Sequence, residues 1–211
     1  TAVNAMLTAR GGAQGGDGGF IETSGKEVVL GAGKSISTLA PQGRTGTWLL
    51  DPVNWTIAAA GGDETPGDVV TSLASSDRLI NATNDITVAD ALVWTTGQKL
   101  ALDAGHDVRI DAAMTASTAG SAIMLTAGND VLVNAALTAS AMGSRIVLTA
   151  GRDVTSTAAV TATATNAATA TRGNSLRKIT GRLISSRSRS GSGAGRSAPR
   201  PDDRFRRAAC T

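Results

Sequence analysis

The chain has 211 residues, 41% of them hydrophobic, with two Phe, three Trp, no Tyr and a formal net charge of +3. Small and β-branched apolar residues of this kind suit thinly spread, tightly stacked strands better than a bulky globular core. A single cysteine, Cys210, excludes an internal disulfide, and no run reaches the roughly 18 apolar residues a membrane helix needs.

The net charge hides a division. Residues 172–211 hold 11 basic and two acidic residues, net +9, whereas residues 1–171 hold nine basic and fifteen acidic, net −6. The pI near 9.6 therefore describes the tail, and it gives no ground for a specific nucleic-acid partner. Thr1-Ala2-Val3-Asn4 lacks the basic and apolar regions of a signal peptide and no Met precedes it, so the chain is expected to be a fragment or a processed product with any export signal upstream.

Along the chain, a strand-like run from Ala2 to Ala9 leads into Gly11-Gly12-Ala13-Gln14-Gly15-Gly16-Asp17-Gly18-Gly19. Glycines at this density permit the tight corner between two short strands. A second strand pair is expected over Glu27–Leu30 and Ser35–Leu39, closed by Pro41-Gln42-Gly43. Two of the three tryptophans lie in Gly46-Thr47-Trp48-Leu49-Leu50-Asp51-Pro52-Val53-Asn54-Trp55, where Asp-Pro favours a turn. Residues 61–67 read as a polar loop leaving the main body, and Val69–Leu73 as extended or a short helix.

From Asn81 to Thr161 one pattern is written four times: Asn84-Asp85-Ile86, His106-Asp107-Val108, Asn129-Asp130-Val131 and Arg152-Asp153-Val154. Its aspartates, Asp85, Asp107, Asp130 and Asp153, fall 22, 23 and 23 residues apart. A unit of this length cannot bury its own apolar face and must stack on its neighbours. Gly105, Gly128 and Gly151 each stand two residues before a marker aspartate, and a turn at Gly followed by Asp makes a reproducible corner. The predicted fold is all-β: a right-handed parallel β-helix of about seven turns over residues 1–171. The Arg/Ser-rich stretch 172–211 is expected to be disordered, and the abrupt change at Arg172 is what a shift of reading frame would produce.

Two stretches carry a family likeness. Gly18-Gly19-Phe20-Ile21-Glu22-Thr23-Ser24-Gly25 and Gly46-Thr47-Trp48-Leu49-Leu50-Asp51-Pro52, with Asn54 and Thr56-Ile57, resemble consecutive motifs of filamentous haemagglutinin-like exoproteins, bacterial adhesins exported by two-partner secretion. The likeness covers about residues 10–60, and the repeats of about 82–165 look like the shaft of the same proteins. It implies a secreted, surface-displayed, non-enzymatic β-helix used in attachment, with a glycan or protein receptor. The family's Asn-Pro-Asn-Gly secretion motif is absent from the chain, so contact with an outer-membrane transporter is expected only through an upstream domain.

Against that background the candidate residues are few. The aspartate column suggests either paired carboxylates for Ca²⁺ or acid–base chemistry, or a ladder of turn-formers, and its regularity favours the ladder. His106 stands where other repeats have Asn84, Asn129 and Arg152, which points to an exposed corner. Gly33-Lys34-Ser35 ends like a phosphate loop, but the glycine such a loop requires five residues earlier is Val28. Trp48, Trp55 and Trp94 could stack on sugars if exposed, although a Trp in such a rod more often plugs its core. No cofactor or metal is expected. The alternatives to an adhesive rod are a β-helical polysaccharide-degrading enzyme, since fold alone does not decide function, or a pure spacer.

Overall fold

A computed structural model describes residues 1–162 in full, and the backbone of Ala168–Arg172 and Leu183–Ser185. The chain adopts the expected parallel β-solenoid. Strands β1 (Ala2–Val3), β2 (Met6–Thr8) and β3 (Phe20–Ser24) make the first turn, and β4 (Val29–Leu30), β5 (Ser35–Ser37) and β6 (Thr47–Asp51) the second. The third turn consists of β7 (Trp55–Ile57), helix α1 (Pro66–Leu73) and β8 (Asp77–Ala82). Turns four to six repeat one plan: β9 (Ile86–Val88), β10 (Leu92–Trp94), β11 (Lys99–Ala104); β12 (Val108–Ile110), β13 (Met114–Ala116), β14 (Ala122–Ala127); β15 (Val131–Val133), β16 (Leu137–Ala139), β17 (Arg145–Ala150). The seventh turn comprises β18 (Val154–Ser156), β19 (Val160–Ala162) and β20 (Ala168–Arg172), and β21 (Leu183–Ser185) follows.

Turns four to six contribute one strand to each of three faces. The first face is a seven-stranded parallel sheet from β3 to β20, the second runs from β7 to β18, and the third from β10 to β21. Only the first face is continuous through all seven turns, because β1–β4 and β2–β5 form separate two-stranded sheets. The register follows the repeat: Leu92 pairs with Met114, Met114 with Leu137 and Leu137 with Val160. Alternation then decides which residues enter the core. Ile86, Val108, Val131 and Val154 stack inward as one buried column, and Leu100, Ile123 and Ile146 as another.

Two expectations are corrected. The opening run is two strands and not one, since Asn4 between them turns its Oδ1 onto the Gly33 N–H at 2.7 Å. The second is the polar loop: its C-terminal part is the start of α1, with Thr65 as N-cap accepting from the Asp68 N–H at 3.2 Å and Pro66 at the first position. The helix occupies the third face between β5 and β10, bonded through the Thr38 N–H to the Ser75 carbonyl at 2.9 Å and the Thr96 hydroxyl to the Leu73 carbonyl at 2.8 Å. Within residues 172–211, Leu183–Ser185 pairs in parallel with Val160–Ala162, and the expectation of disorder for that stretch otherwise falls outside the described residues.

The corner glycines owe their identity to space. None of Gly105, Gly128 and Gly151 lies in the left-handed region, so conformational freedom at a turn is not the reason for them. A Cβ on Gly128 would lie 2.0 Å from the Gly105 carbonyl oxygen, and one on Gly151 would lie 2.0 Å from that of Gly128. Gly128→Ala is expected to destabilise by roughly 3 kcal/mol or more, because backbone of the neighbouring turn must move. Gly120→Ala, in open space at φ +80°, should cost about 1–2 kcal/mol. Denaturant melts showing equal losses for the two would contradict the stacking constraint.

Candidate functional site

The aspartate column is a hydrogen-bonded ladder along one corner. Asp85 Oδ1 accepts from the Asp107 N–H at 3.1 Å, Asp107 Oδ1 from the Asp130 N–H at 3.0 Å, and Asp130 Oδ1 from the Asp153 N–H at 3.0 Å. Below them Asn54 Oδ1 accepts from the Asp85 N–H at 3.3 Å, so the column begins one turn before the four-fold pattern. Each side chain satisfies a backbone group that the strand ladders leave over at the corner. Bonding to N–H groups, together with the Arg152–Asp130 ion pair, offsets the repulsion of carboxylates stacked about 4.8 Å apart. Asp130 in turn holds the Arg152 guanidinium above its ordinary pKa. His106 sits exposed at this corner, and its backbone N–H donates to the Asn84 carbonyl at 2.9 Å.

Beside the ladder, the outer surface of the second face forms a shallow groove lined by Asp85, Thr87, Asp107, Arg109, Leu132 and Asn134. Its charges are largely matched. The Asp111 carboxylate accepts from Arg109 Nε and from Asn134 Nδ2, both at 2.8 Å. The Arg109 bond first, and the Asn134 bond second, hold that carboxyl below the usual range. Among the described residues no group of three or more His, Cys, Asp or Glu is placed to hold a metal ion. The carboxylates are distributed along the rod and do not converge on one reacting point.

The tryptophans are brought together, but inside the rod. Trp48, Trp55 and Trp94 are 0%, 1% and 0% exposed, so they plug the core as expected of a Trp in such a rod, and the alternative of contact with sugars is corrected: no ring face is open to a ligand. They fill the core around the third turn, where a helix replaces a strand and the repeating columns of small residues no longer meet. Trp94 stands where later turns have Ala116, Ala139 and Ala162, and its Nε1 donates to the Gln98 carbonyl at 3.2 Å.

Sequence reasoning missed a buried charged group. Arg78 points inward at a position whose counterparts in later turns are Leu100, Ile123 and Ile146. Its guanidinium meets both carboxylate oxygens of Glu64, at 3.1 and 2.9 Å, and donates to the Ser72 hydroxyl at 2.6 Å. It also lies 3.9 Å from the centre of the Trp48 ring, a cation–π contact. Both charged side chains are 0% exposed. Trp48 Nε1 donates onward to the Thr23 hydroxyl at 3.0 Å. A cleft of about 200 Å³ adjoins this cluster, lined by residues including Lys34, Trp48, Asp68 and Ser75. Lys34 Nζ lies 3.1 Å from Asp68. Burial acts to raise the Asp68 pKa, but hydrogen bonds from Thr65 and Lys34 outweigh it and bring the value down. Stepping the repeat back from Leu100 by 22 residues would have placed Arg78 in an apolar column and flagged it.

Comparison of the chain with protein families, with curated proteins and with solved structures finds no match.

Two measurements separate the corner from the core. Asp107→Ala removes the acceptor of the Asp130 N–H and is expected to cost about 1–3 kcal/mol, with Asp107→Asn recovering most of it. Glu64→Gln leaves a buried guanidinium uncompensated and should cost about 3–5 kcal/mol, whereas the paired replacement Glu64→Met with Arg78→Leu should be close to neutral. If the double variant is as unstable as the single in equilibrium unfolding, the charge pair is not the source of the loss.

Proposed function

We propose that the chain is a non-enzymatic, structural and adhesive rod segment of a secreted, surface-exposed bacterial protein of the filamentous haemagglutinin-like kind. The observation that carries this reading is the distribution of its polar chemistry. The carboxylates of the repeats bond to backbone N–H groups in a column along the corner, and an enzyme would need them gathered around a substrate. The motifs at Gly18–Gly25 and Gly46–Ile57 supply the family assignment by resemblance. A stacked solenoid offers extended flat faces, which suit contact with a large partner better than enclosure of a small one. The partner class is a glycan or protein receptor on a cell or surface.

The purified chain is expected to bind whole cells or immobilised glycans in a saturable manner. Absence of binding across a broad panel would leave a spacer that carries another domain outward. Turnover of acidic or neutral polysaccharides, lost in a folded Asp107→Ala or Asp130→Ala variant, would replace the adhesive reading with a polysaccharide-degrading enzyme.

A further inference from the structure

The outer side of the first face differs from the other two. Its central column starts at Glu22 on the first turn and then runs Leu49, Leu79, Ala101, Met124 and Val147, five apolar residues in register on successive turns. All five are half-buried by their neighbours yet face away from the core. The corresponding column of the second face is Thr56, Thr87, Arg109, Leu132 and Thr155. On the third face it is Val93, Thr115, Thr138 and Thr161. An unbroken apolar stripe on a flat sheet is a surface that stacking would cover.

The columns flanking the stripe identify what covers it. On the fourth turn Lys99 stands on one side of Ala101 and Asp103 on the other, two residues to either side along β11 and pointing outward with it. A two-fold axis lying in the plane of the sheet and parallel to the rod reverses strand direction and keeps each turn at its own height. It sets Lys99 of one copy opposite Asp103 of the other, twice over, with Leu79 on Leu79 and Met124 on Met124. Arg145 then faces Thr149, and Asp77 faces Asn81, so no like charges meet across these four turns. We propose that this face is a self-association surface on which a second copy of the chain packs side by side, the two rods running in the same direction.

Further observations favour that occupant. Burial holds the Asp103 carboxyl above the usual range, and an ammonium opposite it would supply a missing counter-charge. Lys99 Nζ already lies 2.9 Å from Asp77 at the edge of the same face, which places its charge at the rim where it can reach across. Five strands about 4.8 Å apart and three columns wide cover on the order of 300 Å² per copy, well below the roughly 800 Å² of a standard interface. Pairing of this segment alone is therefore weak.

Sedimentation equilibrium of the full chain from about 10 to 500 µM, a range set by that small area, is expected to show a reversible monomer–dimer exchange. Met124→Glu, which alters only the outer surface, should abolish it while leaving the far-ultraviolet circular dichroism unchanged. Lys99→Asp and Asp103→Lys singly bring like charges face to face and should each weaken association by about tenfold or more. The combined K99D/D103K variant restores opposite charges under the same symmetry and should recover it. The proposal is overturned if the chain is monomeric throughout, if Met124→Glu dimerises unchanged, or if the charge-swapped double variant is no better than its parents.

Discussion

At every corner of this rod a backbone N–H must find its acceptor on an adjacent turn, and that requirement governs the rest of the structure. Where nothing is looped out between strands, stacking in register needs turns of nearly the same length, which fixes the spacing of 22 to 23 residues seen in the aspartates and in the pairing of Leu92, Met114, Leu137 and Val160. The aspartate carboxylate reaches the N–H that the ladders leave over. Glycine two residues before it lets consecutive turns approach until a Cβ would lie 2.0 Å from a carbonyl oxygen. One residue supplies the bond and the other clears the space for it, so the two recur together.

The third turn shows what happens when turn length departs from the repeat. The residues between β7 and β8 fold over β7, with Asp63 Oδ2 accepting from the Thr56 N–H at 2.8 Å, and then form α1. Two of the three faces are interrupted there and only the first continues, through β6 and β8. A helix cannot continue a column of Val and Ala, so larger side chains fill the gap: three tryptophans together with Val69 and Leu73 from α1. The Arg78–Glu64 pair ties the inserted segment to the continuous sheet. Burying two charges is costly, and such a pair contributes little net stability over apolar residues of the same size. What it adds is a set of directional contacts between insert and sheet: bidentate bonds to Glu64, a bond to Ser72 and the ring of Trp48.

The difference between the regular and the irregular parts also explains what could be read in advance. The solenoid, its register and the aspartate corners were legible because periodicity survives any ambiguity at single residues. The reason for the glycines was not, since a sequence cannot show how closely one turn lies on the next. Near the insertion the local pattern misleads. In Asp77-Arg78-Leu79-Ile80 hydrophobicity alone would turn Arg78 outward and Leu79 inward, whereas pairing with β11 turns Arg78 in and Leu79 out. Helix α1 did carry a signal, Thr65-Pro66 followed by Asp68, the residue types of an N-cap, first position and first turn. Gly61, Gly62 and Gly67 around it read as loop, which left the helix legible only as one of two readings of Val69–Leu73.

These constraints bear on what the molecule can present to others. Interior columns and corners are committed to holding the stack, so the outward residues of the three faces are what remains free to vary. Each face displays one central side chain per turn, about every 4.8 Å, and a partner lying along the rod meets them as a row. Contacts of this kind are individually weak, and their number grows with the turns engaged, so affinity is set by length and register more than by any one residue. Along the second and third faces the rows are mainly threonine, broken by Arg109, Leu132 and Val93. The first face is apolar along its middle from Leu49 to Val147, with charge at its edges. A repeating fold thus separates its tasks by direction: the corner holds the stack, the core fills it, and each face offers a different chemistry along the same axis.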